Sequence, residues 1–152
     1  SEQLKITPFY LLVKGPCVNN LDWTLDLDAK LLDRSPNKLP EKGIYAFNDR
    51  GWWHITKDDL SFPESKWLCK NLLSPFWNII DERNDPRIRY ISGNRNPKEI
   101  EQERKKDEVI FISPSPSWNQ IQEASDNGIM LPPKSTYIEP KLRSGMTLFS
   151  WK

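Results

Sequence analysis

Residues 88–128 decide the fold: IRYISGNRNPKEIEQERKKDEVIFISPSPSWNQIQEASDNG. Ile88 to Ser92 is β-branched and aromatic and reads as a strand. Asn96 precedes Pro97, with Glu99 three positions on, so a helix starts here with a side-chain cap. That helix runs to about Lys106, is mostly charged and is expected to lie exposed. Val109 to Ile112 is an apolar run and a second strand. Ser117-Trp118-Asn119-Gln120 repeats the cap pattern and opens a helix with Trp118, Ile121 and Ala124 or Ser125 on one face; Asn127-Gly128 supplies a left-handed stop. Strand, helix, strand, helix at this spacing implies a β-α-β unit with a right-handed crossover.

Working outward, Phe9 to Val13 is a continuous apolar run stopped by Lys14-Gly15-Pro16, as in a strand covered on both faces. Ile44–Asn48 and Trp52–Thr56 flank Asp49-Arg50-Gly51 and form a hairpin, in which Gly51 takes the positive φ of the turn. Between them, Asn19 to Lys42 lacks a sustained period and reads as a short helix plus loop. From Pro63 to Ile80 the apolar residues Trp67, Leu68, Leu72, Leu73, Phe76, Trp77 and Ile80 recur at helical spacing. Ser61 is a candidate cap, and Pro75, without an amide hydrogen, must kink or split this helix. Met146–Trp151 reads as a last strand. The expected architecture is one mixed α/β domain over residues 1–152, a mixed sheet carrying the hairpin and the β-α-β unit with helices packed on it.

Composition narrows the functional classes. Twenty-two basic residues against 21 acidic ones leave a net charge of +1, which gives no long-range field for nucleic acid or an anionic membrane. Seven tryptophans argue for an ordered core, and 13 scattered prolines for many irregular connections. With one histidine and two cysteines, Cys17 and Cys69, outside any CxxC pair, a Cys/His zinc site is not expected. Cys69 falls in the helical apolar pattern and reads as a buried thiol. No apolar stretch approaches a membrane span and no signal peptide is visible, so the cytoplasm is the expected compartment.

Two segments carry a likeness to a known family. Asp85-Pro86-Arg87-Ile88-Arg89-Tyr90-Ile91-Ser92-Gly93 is one. The other runs from Met130-Leu131-Pro132-Pro133-Lys134-Ser135-Thr136-Tyr137 to Glu139-Pro140-Lys141-Leu142-Arg143-Ser144-Gly145. Their order, with the charged helix and the Asn127-Gly128 stop between them, resembles the C-terminal part of the bacterial and archaeal domain-of-unknown-function 1015 family, over about residues 68–151. Full-length members carry an N-terminal part related to the ParB and sulfiredoxin fold, which elsewhere binds nucleotides and includes free-serine kinases. This chain resembles only the part that follows, so no nucleotide-binding residues carry over.

The candidate site lies in the second segment. Pro132 and Pro133 stiffen the backbone ahead of Lys134, Ser135, Thr136 and Tyr137, and Lys141, Arg143 and Ser144 follow. Residues 129–152 hold four basic groups and one acid, enough to hold a phosphate or carboxylate. Asn94 and Arg95 add a second loop at the carboxyl end of a strand, where α/β folds place ligands and where the amides after Asn96 would meet an anion. The competing reading of both loops is structural, with salt links and caps inside the fold. His54 reads as a strand histidine without the orienting carboxylate and nucleophile that a general base needs. Tyr45, Phe47, Trp52 and Trp53 alternate across a sheet and read as core, not as a base-stacking platform. Three functional classes follow. The first is a module binding a small anionic metabolite or a partner's phosphate. The second is a phosphotransferase acting on serine or a similar metabolite, with Lys134 stabilising charge and an acid such as Asp85 as base. The third is a protein-interaction module; nucleic acid comes last, and the sequence identifies no particular cofactor.

Overall fold

The computed structural model describes residues 4–7, 9–18, 21–93, 95–129 and 137–140. Its main sheet contains β2 (Phe9–Lys14), β3 (Lys30–Leu31), β4 (Ile44–Asn48), β5 (Gly51–Ile55), β6 (Ile88–Ser92) and β7 (Glu108–Ile112) in the order β3-β5-β4-β7-β2-β6. A separate ribbon pairs β1 (Leu4–Thr7) with β8 (Tyr137–Pro140). Every ladder is antiparallel. The mixed α/β class holds, but the mixing expected of the sheet comes from no parallel ladder. Instead β6 and β7 run parallel to each other with β2 inserted between them, the split form of the β-α-β unit. The insertion has a physical cause: Tyr10 to Val13 are apolar on both faces and are buried only in a central position.

Alternation along the strands builds two cores. On one face Leu11, Val13, Ile44, Ala46, Ile55, Val109 and Phe111 meet Trp23 and the long helical segment; on the other, Tyr10, Leu12, Trp52, Ile110 and Ile112 meet Ile100. Trp52 stacks on Phe47 on the second face, while Trp53 meets Trp23 edge-on at a centroid separation of 6.4 Å on the first. The hairpin aromatics are therefore packing residues, as their alternation implies.

The long helical segment covers the first core as α2 (Glu64–Leu68), a π turn (Cys69–Leu73) and α3 (Ser74–Trp77). The π turn ends at Leu73, one residue before Ser74-Pro75, where proline's missing amide breaks the α ladder. Ser61 does not cap this helix. Pro63 occupies the N-cap position without a side-chain hydrogen bond, after a cis Phe62–Pro63 bond. At the other end Asn78 turns left-handed at φ 53°, and the Ile79 N–H donates to the Leu73 carbonyl at 2.9 Å, which folds residues 79–82 back along the helix end. Trp77, 1% exposed, donates its indole N–H to the Gly15 carbonyl and pins this layer to the end of β2.

In the poorly patterned stretch, α1 (Trp23–Asp26) is capped by Asp22 and followed by β3. Arg50 of the hairpin turn reaches Asp22 at 3.3 Å and the Thr24 hydroxyl at 2.8 Å, joining the two. The charged helix is shorter than its sequence suggests. Here α4 (Pro97–Ile100) gives way to a 3-10 turn at Glu101–Glu103, and Arg104 is extended. The cause lies downstream: Glu108 takes the Lys105 N–H at 2.8 Å, and its carbonyl accepts Arg104 Nε at 2.6 Å. Ile100, fully buried, is the anchor of this otherwise solvated segment. Finally α5 (Trp118–Asp126) opens with the complete capping box of Ser117 and Gln120 and closes through Gly128 at φ 67°. There the Ile129 N–H reaches the Ala124 carbonyl and the Gly128 N–H that of Ser125, a Schellman stop. Of its expected apolar face only Ala124 is buried; Trp118 is 46% exposed. The strand expected at 146–151 lies outside the described residues.

Candidate functional site

Lys134, Ser135, Thr136, Lys141, Arg143, Ser144 and Asn94 lie outside the described residues. Tyr137 opens β8 and pairs with Thr7 of β1. That pairing fixes where the 130–136 loop delivers its chain. Two residues after Thr7, Phe9 pairs with Ser92 at the end of β6, and the Gly93–Asn96 loop begins. By chain geometry the Tyr137 and Ser92 backbones are thus within roughly 20 Å of one another. Tyr137, the residue after the proline-stiffened segment, and Ser92, at the start of the Arg95 loop, are thus brought near one another.

At that end the described groups are well defined. Tyr10, fully buried, donates its hydroxyl to the Arg95 carbonyl and so ties the loop to β2. Burial pushes the Tyr10 phenol well above its ordinary range, with Glu99 adding to this, so it serves only as a donor. Arg95 donates through Nη2 to Glu103 at 2.9 Å, and this hydrogen bond holds the Glu103 carboxyl below its usual value. The Arg95 Nε and the Ser92 hydroxyl are buried and have no hydrogen-bond partner among the described residues. Part of the Arg95 donor capacity is therefore spent internally and part is not. The amides after Asn96 are less open than expected, because the Asn96 side chain itself takes the Glu99 N–H at 2.9 Å and α4 is only one turn long.

Asp85 is forked onto Arg87, with Nε–Oδ1 at 2.9 Å and Nη2–Oδ2 at 2.7 Å. The Arg87 hydrogen bond lowers the Asp85 pKa, and Arg87 also donates to the Trp77 carbonyl. A carboxylate held in this way is a weaker general base than a free one. The pair is a clamp between the α3 end and β6. His54 is bound through Nε2 to the Lys42 carbonyl at 2.9 Å and packs edge-on against Tyr45, a strand histidine as its neighbours imply. Cys17 and Cys69 are both free and half-buried. Burial raises both thiols, Cys17 to about 11, so neither is a ready nucleophile. No group of three or more metal-ligating side chains occurs among the described residues, and no described helix is long and apolar enough to cross a membrane.

Three features were not read from the sequence. One is the buried pair of Glu108, 3% exposed, with Arg89; an acid opening an apolar strand was the available signal. Another is an open groove of about 440 Å³ between Lys42, Ser61, Glu64, Ser115 and Gln120, into which the half-buried Glu64 brings a carboxyl whose pKa burial raises. The last is a hollow of about 310 Å³ beside the π turn, lined by Lys66, Cys69, Lys70, Leu73, Ile79 and Glu82, among others. It arises from a helix defect and a chain reversal, neither of which has a residue-type signature.

No family model, no curated protein and no solved structure matches the chain.

Proposed function

We propose that this domain is a binding module for a small anionic ligand, a phosphorylated metabolite or the phosphate of a partner. Lys134 and Thr136 are the primary contacts, and Arg95 contributes from the facing loop. The observation that supports this reading is the pairing of Thr7 with Tyr137 beside that of Phe9 with Ser92, which brings Tyr137, next in the chain to the basic, proline-stiffened segment, near the residue that precedes the Arg95 loop. The unpartnered Nε of Arg95 and hydroxyl of Ser92 support it, since a guanidinium with an unused donor retains affinity for an oxyanion. Residues 129–152 carry a local excess of three positive charges in a chain whose net charge is only +1. In the family that segments 85–93 and 130–145 resemble, such a module would act beside a nucleotide-binding N-terminal part.

The test is an amide-resolved NMR titration with inorganic phosphate and with phosphoserine at constant ionic strength. Saturable shifts at Gly93–Asn96 and Lys134–Tyr137, with Kd of about 1 mM, are expected, corresponding to about 4 kcal/mol. Arg95→Ala and Lys134→Ala should each weaken binding about tenfold, the loss of roughly 1.4 kcal/mol for one charge-assisted contact. Shifts that never saturate, or that follow ionic strength alone, would refute the reading.

A further inference from the structure

The hollow beside the π turn has opposite charges around an apolar floor. Lys66 and Lys70 come from consecutive turns of the helix, with Ser74 one turn beyond them. Leu73 and Ile79, both buried, form the floor, and Ile80, 82% exposed, stands beside them. Glu82 lines the same hollow from the chain that folds back after Asn78. Neither lysine takes part in any ion pair among the described residues; the five present involve other groups. The two signs of charge therefore share one small cavity without neutralising each other.

We propose that this hollow binds a small zwitterion of the amino-acid type, with its ammonium on Glu82, its carboxylate between Lys66 and Lys70, and an aliphatic side chain against Leu73, Ile79 and Ile80. The charge pattern selects this class. A plain anion is attracted by the lysines and repelled by Glu82, and a plain cation meets the reverse; only a ligand with both signs satisfies all three groups. The volume, about 310 Å³, is at the small end of the range for metabolite sites. The Cys69 thiol lines the same hollow as the Glu82 carboxyl. Burial raises the Glu82 pKa, and a nearby ammonium would favour its charged form. The π turn widens the helix at the level of Cys69, as π turns at ligand sites commonly do.

The experiment uses leucine and its two half-ligands, 4-methylpentanoate without the amine and 3-methylbutylamine without the carboxylate, each titrated while amide shifts are followed. Leucine should perturb residues 66–74 and 79–82 in a saturable manner and bind at least about tenfold more tightly than either half-ligand, one charged contact being worth about 1.4 kcal/mol. Glu82→Gln should weaken leucine and the amine but not 4-methylpentanoate; Lys70→Ala, at an exposed position that leaves the core intact, should weaken leucine and the carboxylate but not the amine. This crossed pattern is one that a merely structural role would not produce. Equal affinity for the three compounds, loss of the crossed pattern, or no saturable shift at these residues overturns the proposal. The phosphate titration above reads different residues, so either result can fail alone.

Discussion

Replacing Glu108 by Gln tests the polar interior most directly. Glu108 is 3% exposed at the start of the central strand β7 and accepts three hydrogen bonds, from Arg89 Nε and Nη2 and from the Lys105 N–H, each at 2.8 Å. Glutamine keeps the shape and one acceptor but removes the charge and turns an amide N–H₂ toward the guanidinium. Breaking a buried ion pair from one side costs about 3–5 kcal/mol. With the Arg89 side chain still 33% exposed, the low end, about 3 kcal/mol, is expected. That is a large part of the 5–15 kcal/mol typical of a domain and corresponds to a Tm roughly 6–12 °C lower at this size. Urea unfolding followed by tryptophan fluorescence measures it. The pH profile adds a signature. Arg89 above all holds the Glu108 carboxyl below its ordinary value of 4.5. The stabilisation is therefore fully present above that value and is lost as pH falls through the lower folded-state pKa. Glu108→Gln should flatten the acid limb, with the remaining slope coming from Asp22, Asp85 and Glu103, whose carboxyls are also held low. A loss below about 0.5 kcal/mol, the value of a surface pair, would refute the reasoning. So would a neutral-pH loss with an unchanged acid limb.

Gly43 is left-handed at φ 74°, and a Cβ there would sit 2.4 Å from the Ile55 carbonyl oxygen. Gly43→Ala should therefore cost more than about 2 kcal/mol, whereas Gly128→Ala, at φ 67° with open space around it, should cost only about 1 kcal/mol; equal losses in urea melts would contradict this. Both thiols are raised by burial, so alkylation by iodoacetamide at neutral pH should run at least about tenfold slower than for a free thiol of pKa about 8.5, and rapid labelling of Cys17 or Cys69 in the folded protein would count against the burial argument.

How far the sequence could be read depended on the range of the interaction involved. The hairpin, the caps at Asn96 and Ser117 and the stop at Gly128 are legible because each is set within a few residues, by a cap side chain on a nearby amide or by a glycine that takes a positive φ. The charged helix was overextended because its end is set by Glu108, a strand residue that takes amide and guanidinium partners from the preceding loop. Direct adjacency of β6 and β7 was the simplest meaning of strand-helix-strand, and nothing near residue 100 records that Leu11 competes for the position between them. Asp85, named in the sequence as a candidate base, is paired instead with Arg87, two residues away. The hollow at Glu82 escaped notice because Lys66, Lys70 and Glu82 are ordinary surface letters until Asn78 reverses the chain.

The position of β2 bears on how this molecule comes off the ribosome. Leu11 pairs with Phe111, one hundred residues later, and the strand on its other side ends at Ser92. At about 5–20 residues per second, the stretch Phe9–Val13 waits on the order of 5–20 s for either neighbour, carrying an apolar face on both sides. Trp23, the hairpin residues Ile44, Ala46 and Ile55 and the helical layer of Trp67 to Trp77 are made in the interval, and Leu11 and Val13 share a cluster with them in the finished protein. Nascent chains halted after that layer has left the ribosome but before β7 should therefore hold β2 against it, with Ile100, Ile110 and Ile112 still missing from the opposite face.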